Sequence, residues 1–170
     1  MKAAEYNPTR NNPVHDNAEC EKIIQGSYQG VLAMTCDGMP YAIPINHGFM
    51  DGRLYFHCGL AGQKLDCIRK NPNVVYVITK YYGSPEDFKN RASCHGKWES
   101  VIIFGKARIA EERADIADAF KKFMKCQGKD NFEPSPKVCE EVRAIVVEIE
   151  QMTARRENEK KERTYFSWKK

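Results

Sequence analysis

Apolar and polar positions follow two different periods along this chain, and the changes of period mark its elements. Cys20, Ile23 and Ile24 recur at helical spacing behind Asp16-Asn17-Ala18-Glu19. An aspartate there can accept from an exposed backbone N–H while Glu19 reaches back, which predicts a helix with a capping box, closed by Gly26. From Tyr28 the pattern becomes that of strands. Segments 30–36, 41–50 and 53–58 are rich in apolar and β-favouring residues and are separated by Asp37-Gly38 and Asp51-Gly52. Asp-Gly tolerates positive φ at both turn positions, so two such turns in succession predict an antiparallel meander. A short helix is predicted at 62–70, with Leu65 and Ile68 inward and Asn71-Pro72 as its stop. A fourth strand follows at 74–80, then a polar loop at 81–96. The long fifth strand at 98–109 contains Gly105, which marks a bulge or bend. Ile116, Phe120 and Phe123 predict a helix from about 111 to 127, and 138–141 adds a helical turn. Ile145, Val147 and Ile149 alternate with Glu148 and Glu150, the signature of a half-buried strand over 143–152.

Six strands joined mainly by hairpins, with two main helices, predict a mainly β fold with flanking α: a six-stranded antiparallel barrel carrying helices on its outside. Residues 1–15, with Pro8, Pro13 and several asparagines, read as an extended N-terminal arm. Residues 154–170 form a C-terminal tail: the mixed-charge run RRENEKKER at 155–163, then Tyr165, Phe166 and Trp168. Two readings of that tail stand, a solvated helix or frayed end, and an arm that docks its aromatics on a partner subunit. The core domain is then 16–153.

Composition narrows the classes. With 42% hydrophobic and 29% charged residues the 170-residue chain is globular rather than disordered. Its longest apolar run, Val74 to Ile78, is far short of the ~18 residues a membrane span needs. The first residues, MKAAEYNPTRNN, lack the apolar core of a signal peptide, so a cytoplasmic protein is expected. Seven cysteines without a CxxC pair then read as reduced, mostly buried thiols. A net charge of +4 is compatible with an anionic ligand and is no argument for nucleic acid.

The chemistry is distributed rather than concentrated in one motif. The chain has no Walker loop, GxGxxG, GxSxG or HExxH. Gly62-Gln63-Lys64 places free backbone N–H groups and an ammonium at a helix N-terminus, a natural seat for a phosphate, and Ser100 can add a hydroxyl donor. His57, between Phe56 and Cys58, is either a satisfied core residue or, beside a redox cofactor, a hydrogen-bond donor or proton relay. His47-Gly48 and Cys94-His95, with Cys58, match no zinc spacing, and no metal is expected.

The order PINHGFMDGRLYFHCGLAGQKLDCIRKNPNV, followed by WESVIIFGKARI at 98–109, resembles the pyridoxamine 5′-phosphate oxidase-like flavin-binding split-barrel proteins, in particular their nitroimidazole-resistance branch. The resemblance covers roughly 17–153. It implies a split β-barrel working as a homodimer with FMN at the subunit interface. It implies that Pro44, Ile45 and Asn46 line the isoalloxazine through backbone atoms and that His57 lies beside the flavin. Gly62, Gln63 and Lys64 then hold the phosphate, and Ser100 and Val101 match the family's Ser-Val step on the long strand. Trp98 and Trp168 can cover the flavin face, with a barrel-core anchor as the other reading of Trp98. The activity implied is an FMN-dependent oxidoreductase that passes electrons from NADH or NADPH to a small, nitroaromatic-like acceptor. The closing Arg-Leu-x-Pro of true pyridoxamine phosphate oxidases is absent, which argues against vitamin B6 substrates. The alternative is a non-catalytic flavin- or haem-binding, redox-sensing module on the same fold.

Overall fold

In the computed structural model, which describes residues 14–83, 96–157 and 163–168, both Asp-Gly turns are tight. Asp37 (φ 50°) and Gly38 (φ 84°), and Asp51 (φ 52°) and Gly52 (φ 69°), all occupy the left-handed region that this hairpin turn requires. The first joins β2 (Gln29–Cys36) to β3 (Met39–Asn46), and the second joins β4 (Gly48–Met50) to β5 (Arg53–Cys58). Ahead of them lie β1 (Val14–His15) and α1 (Asn17–Gln25). After them come α2 (Gln63–Lys70), β6 (Asn73–Tyr81), β7 (Trp98–Ala110), α3 (Arg113–Cys126), α4 (Pro136–Glu141), β8 (Arg143–Glu157) and β9 (Arg163–Trp168).

The strands form one sheet in the order β1-β9-β8-β7-β6-β2-β3, and β5 pairs with β8 and carries β4. β8 explains the split. Along one edge it pairs with β7; along the other its first half pairs with β5 (Cys58↔Arg143 to Arg53↔Glu148) and its second half with β9 (Met152↔Trp168 to Glu157↔Arg163). Gly105 sits at the register shift between the halves, and a Cβ there would strike the Glu148 carbonyl, so the expected bulge is present.

Several expectations need correction. The described residues form nine strands rather than six, and β1 pairs with β9 in parallel. The predicted strand 41–50 breaks at His47, whose side chain turns into the core while β4 leaves to pair with β5. Gly48 permits this, because a Cβ there would lie 3.1 Å from Phe123 Cα of α3. The aromatic tail is neither frayed nor free: β9 pairs with β8, and Tyr165, Phe166 and Trp168 are buried against their own chain. Trp168 Nε1 donates to Glu21 Oε1 of α1 at 3.2 Å. Asp16 caps α1 by accepting from Glu19 N at 3.0 Å, but the reciprocal half of the box is not made, since Glu19 pairs with Arg156 at 2.6 Å. The thiols are not all reduced: Cys36 and Cys67 form a disulfide, invisible at a separation of 31 residues until the fold sets α2 against the end of β2. Cys20, Cys58, Cys126 and Cys139 are free. The polar loop falls mostly outside the described residues, as do the Cys94-His95 step and most of the N-terminal arm.

Two apolar cores result. The main one lies inside the curled sheet, around Leu32, Phe56, Tyr76, Ile103, Val147 and Met152. The second lies outside β5 and the first half of β8, where α3 covers Tyr55, Ala144 and Val146 with Ile116, Ala119, Phe120 and Phe123.

Candidate functional site

Gly62 starts α2 at φ 137°, a conformation that side chains rarely adopt, and no side chain caps the helix. α1 and α4 each have a side-chain cap, Asp16 and Ser135, while α3 has none, its N-cap being Glu112 rather than a glycine. The Gly62 carbonyl takes the N–H of Leu65 (2.9 Å) and Asp66, which leaves the N–H groups of Gln63 and Lys64 without an acceptor in the helix. Lys64 is half-buried, and its ammonium lies 3.9 Å from where a Gly62 Cβ would stand, at the positive end of its own helix. Among the described residues no carboxylate pairs with it, whereas Arg69 and Lys70 further along α2 pair with Glu111 and Asp37. A cation held at a helix N-terminus is favoured when an anion sits between them. Lys64 and Arg143 also face the buried Cys58 thiol: burial pushes that thiol up, and the two cations partly offset it.

β3 supplies the second part. It pairs with β2 alone, so its other edge is open among the described elements. His47 N donates to Tyr28 O at 3.0 Å, which sets the phase: odd-numbered residues of β3 turn their backbone groups toward β2. Pro40, Ala42, Pro44 and Asn46 therefore turn theirs to the open edge, and both prolines sit where a missing N–H breaks no ladder bond. Pro44 and Asn46 are exposed; Ile45 instead packs its side chain against the core and its carbonyl accepts from Tyr76 Oη at 2.9 Å.

Behind Ile45 lies a polar network that the sequence did not reveal. His47, 3% exposed, faces Tyr76 Oη through Nδ1 (2.8 Å) and the Ile24 carbonyl through Nε2 (3.2 Å). A carbonyl accepts, so Nε2 carries the hydrogen, and Nδ1 and the Ile45 carbonyl share the single Tyr76 hydroxyl hydrogen. Burial lowers the His47 pKa, partly offset by the Ile24 carbonyl; burial raises that of Tyr76, partly offset by the Gly30 N–H. Gly30 is the one local signal that pointed here: a Cβ on it would lie 2.7 Å from the Tyr76 ring. A cleft of about 420 Å³ opens beside His47 at this end of β3, between Ile24, Tyr28, Phe49, Lys125 and Gln127.

The other predicted residues divide. His57 is exposed on one side and rests on Phe123 (centroids 4.7 Å apart) and Phe120 (5.5 Å) on the other, and this partial burial lowers its pKa. Ser100 lies on the outer face of β7 opposite Thr79, at the level where Asn46 pairs with Gln29 two strands away. Val101 points into the core and is fully buried. Trp98 is half-buried at the start of β7, between Tyr81 and Glu157. Trp168 is packed against α1, apart from α2 and the open edge of β3. Among the described residues, no three His, Cys, Asp or Glu side chains converge as a metal site needs, and no helix is long and apolar enough to cross a membrane.

The sequence profile of the pyridoxamine 5′-phosphate oxidase family matches residues 16–156, and the chain belongs to that family. It is 28% identical over 93 residues to an uncharacterized protein of Rhizobium meliloti (strain 1021), spanning 55% of this chain and 54% of that one, about half of the curated relative it matches. Among solved structures it resembles one described as a 5-nitroimidazole antibiotic resistance protein of Bacteroides thetaiotaomicron VPI-5482, with TM-score 0.71, 26% identity and coverage of 83% and 84% of the two chains. It shares its fold with a FAD-binding protein of Mesorhizobium loti (TM-score 0.59, 22% identity, 83% and 94% covered). The FAD and heme binding protein of Mycobacterium smegmatis is similar in the same sense (TM-score 0.67, 13% identity, 82% and 70% covered).

Proposed function

We propose that this protein is a cytoplasmic, homodimeric FMN-dependent oxidoreductase that passes electrons from a reduced nicotinamide to a small acceptor, with nitroaromatics the favoured class. The observation that carries the reading is the uncapped N-terminus of α2 with the Lys64 ammonium over it, unpaired among the described residues, on the chain segment that also supplies the β3 edge left open among the described elements. Those features suit the two ends of FMN, a terminal phosphate and a flat ring with a polar rim. The N–H groups of Gln63 and Lys64, with the Lys64 ammonium, would bind the phosphate. The Asn46 N–H and the Pro44 and Asn46 carbonyls would meet the ring edge, while Tyr76 and His47 hold Ile45 from behind. A bound flavin supplies the redox chemistry; the protein orients it and limits access.

His57 stays neutral near pH 7 because its pKa is lowered, which suits a contact or hydrogen-bond donor better than a permanent cation. The cleft beside His47 has the size of a small-ligand site and is where the acceptor would approach. The outer face of β3, β2, β6 and β7 carries Pro44, Val31, Val77 and Ile102 in one row and Ala42, Ala33, Val75 and Phe104 in the next. Such a face on the site's own strands is where a second copy would dock.

The test is an absorption spectrum of the purified protein, with the released cofactor identified by mass and NADH or NADPH then added without oxygen. FMN near one per chain, bleached by the nicotinamide and restored by a 5-nitroimidazole, supports the reading. Tight FMN binding without turnover would make the chain a flavin-binding module, and release of FAD or haem would correct the cofactor.

A further inference from the structure

The Cys36–Cys67 disulfide joins the last residue of β2 to the middle of α2. The loop it closes contains β3, β4, β5 and the first turn of α2, and therefore Pro44, Asn46, His57 and Gly62 to Lys64. Other holds on α2 are few. Leu65, Cys67 and Ile68 are buried, but the ion pairs of Arg69 with Glu111 and Lys70 with Asp37 lie on exposed side chains and contribute little. On its N-terminal side the helix hangs from Gly59, Leu60, Ala61 and Gly62, all exposed. Beyond the backbone that enters α2 from β5 and leaves it through Asn71 and Pro72 into β6, the bond is the one covalent cross-link, among the described residues, between α2 and the sheet.

We infer that Cys36–Cys67 is a reversible dithiol–disulfide site that latches α2 in place and thereby controls how tightly the anion seat at Gly62–Lys64 holds its ligand. Cys36 is half-buried beside exposed Thr35 and Asp37, whereas Cys67 is fully buried, so an incoming thiolate meets the Cys36 sulfur and Cys67 leaves. A small dithiol reduces the bond in two steps: it forms a mixed disulfide with Cys36 and releases the Cys67 thiol, then closes its own disulfide and releases the Cys36 thiol. Two electrons and two protons pass to the protein, and the dithiol is oxidised. The Gln63 side-chain amide, 4.0 Å from Cys36 Sγ, couples this site to the first turn of the helix. Four described cysteines remain free beside this single bond, the pattern of a protein in a reducing compartment, where disulfides are transient and regulatory.

The effect on flavin rests on the function proposed above; the latch itself does not. The experiment takes full-length protein purified without reductant, with and without dithiothreitol, alongside Cys36→Ser. It reads the linked peptide by mass spectrometry of a non-reduced digest, amide exchange over residues 59–66 of the flavin-free protein, and FMN affinity. The linked peptide is expected, and reduction should speed exchange over 59–66 and weaken FMN by about tenfold, because the ligand must then order a helical turn itself. Cys36→Ser should behave as reduced protein whether or not reductant is present; if it does not fold, the dithiothreitol arm alone decides. A missing linked peptide, or equal exchange in the two states, overturns the latch. Faster exchange with equal FMN affinity overturns its control of the seat. Faster exchange with FMN bound in neither state leaves the latch standing and removes the flavin reading.

Discussion

Where β5 and the first half of β8 turn outward, Tyr55, Ala144 and Val146 are at most 2% exposed, because α3 lies across them. Where β2, β3, β6 and β7 turn outward, Val31 keeps 41% of its surface exposed, and no described helix lies over Pro44, Val77 or Ile102 beside it. Both faces are apolar, yet among the described elements a fourteen-residue helix covers one and no helix covers the other. Helices could have covered both. The face without a described helix is the one proposed above to dock a second copy of the chain, and it lies next to the strand edge proposed to meet the flavin. The covered face does a second job by giving His57 an aromatic wall of Phe120 and Phe123.

Breaking the covered face should have the largest effect on stability. Phe123→Ala removes a ring that is 4% exposed and should cost about 3–5 kcal/mol in urea unfolding. With its wall thinned, His57 should also titrate closer to its ordinary value in an NMR pH series.

His47 lies behind the open edge of β3 and tests the region between the faces. His47→Gln leaves Tyr76 and the Ile24 carbonyl imperfectly paired and should cost about 1–3 kcal/mol at pH 7. The sign of its pH dependence follows from the lowered pKa. The unfolded chain takes up the proton first, so the stability contributed by neutral His47 is present above its unfolded pKa of 6.5 and is lost as pH falls through it. Melting curves from pH 8 to pH 5 should therefore fall less steeply in His47→Gln than in the wild type.

On the bare face, Val31→Glu should change the stability of the single chain by less than about 1 kcal/mol, since the side chain is already exposed. Sedimentation should nonetheless show a dimer becoming a monomer. A wild-type chain that sediments as a monomer at micromolar concentration would remove the contrast altogether.

The smallest stability effect is expected at the anion seat. Lys64→Ala deletes a cation with no carboxylate partner among the described residues, so its melting temperature should match the wild type.

Features legible in the sequence were those that a few neighbouring residues decide. The Asp-Gly turns, the Asp16 cap and the Gly105 bulge each rest on one backbone conformation or one close approach, and each is where it was expected. The start of α2 at Gly62-Gln63 was legible for the same reason. What escaped depends on distant partners. The break at His47 is made by Ile24 and Tyr76, 23 and 29 residues away, and within 41–50 only Gly48, which permits it, bears on it. β9 was hidden because the charged run before it reads as solvated, while its pairing comes from β8. Val101 and Trp168 carried the right residue types for a flavin contact, but one points into the core and the other lies against α1. The disulfide could not be read from spacing at all.

The central claim, that the Gly62–Lys64 seat and the β3 edge hold FMN, is tested most directly by titrating FMN into flavin-free protein and following the quenching of flavin fluorescence. Saturation near one FMN per chain at micromolar concentration is predicted, together with affinity at least about tenfold weaker in Lys64→Ala, which loses a charge-assisted phosphate contact. A wild-type chain that leaves the fluorescence unchanged, or a Lys64→Ala chain that binds as tightly as the wild type, would contradict it.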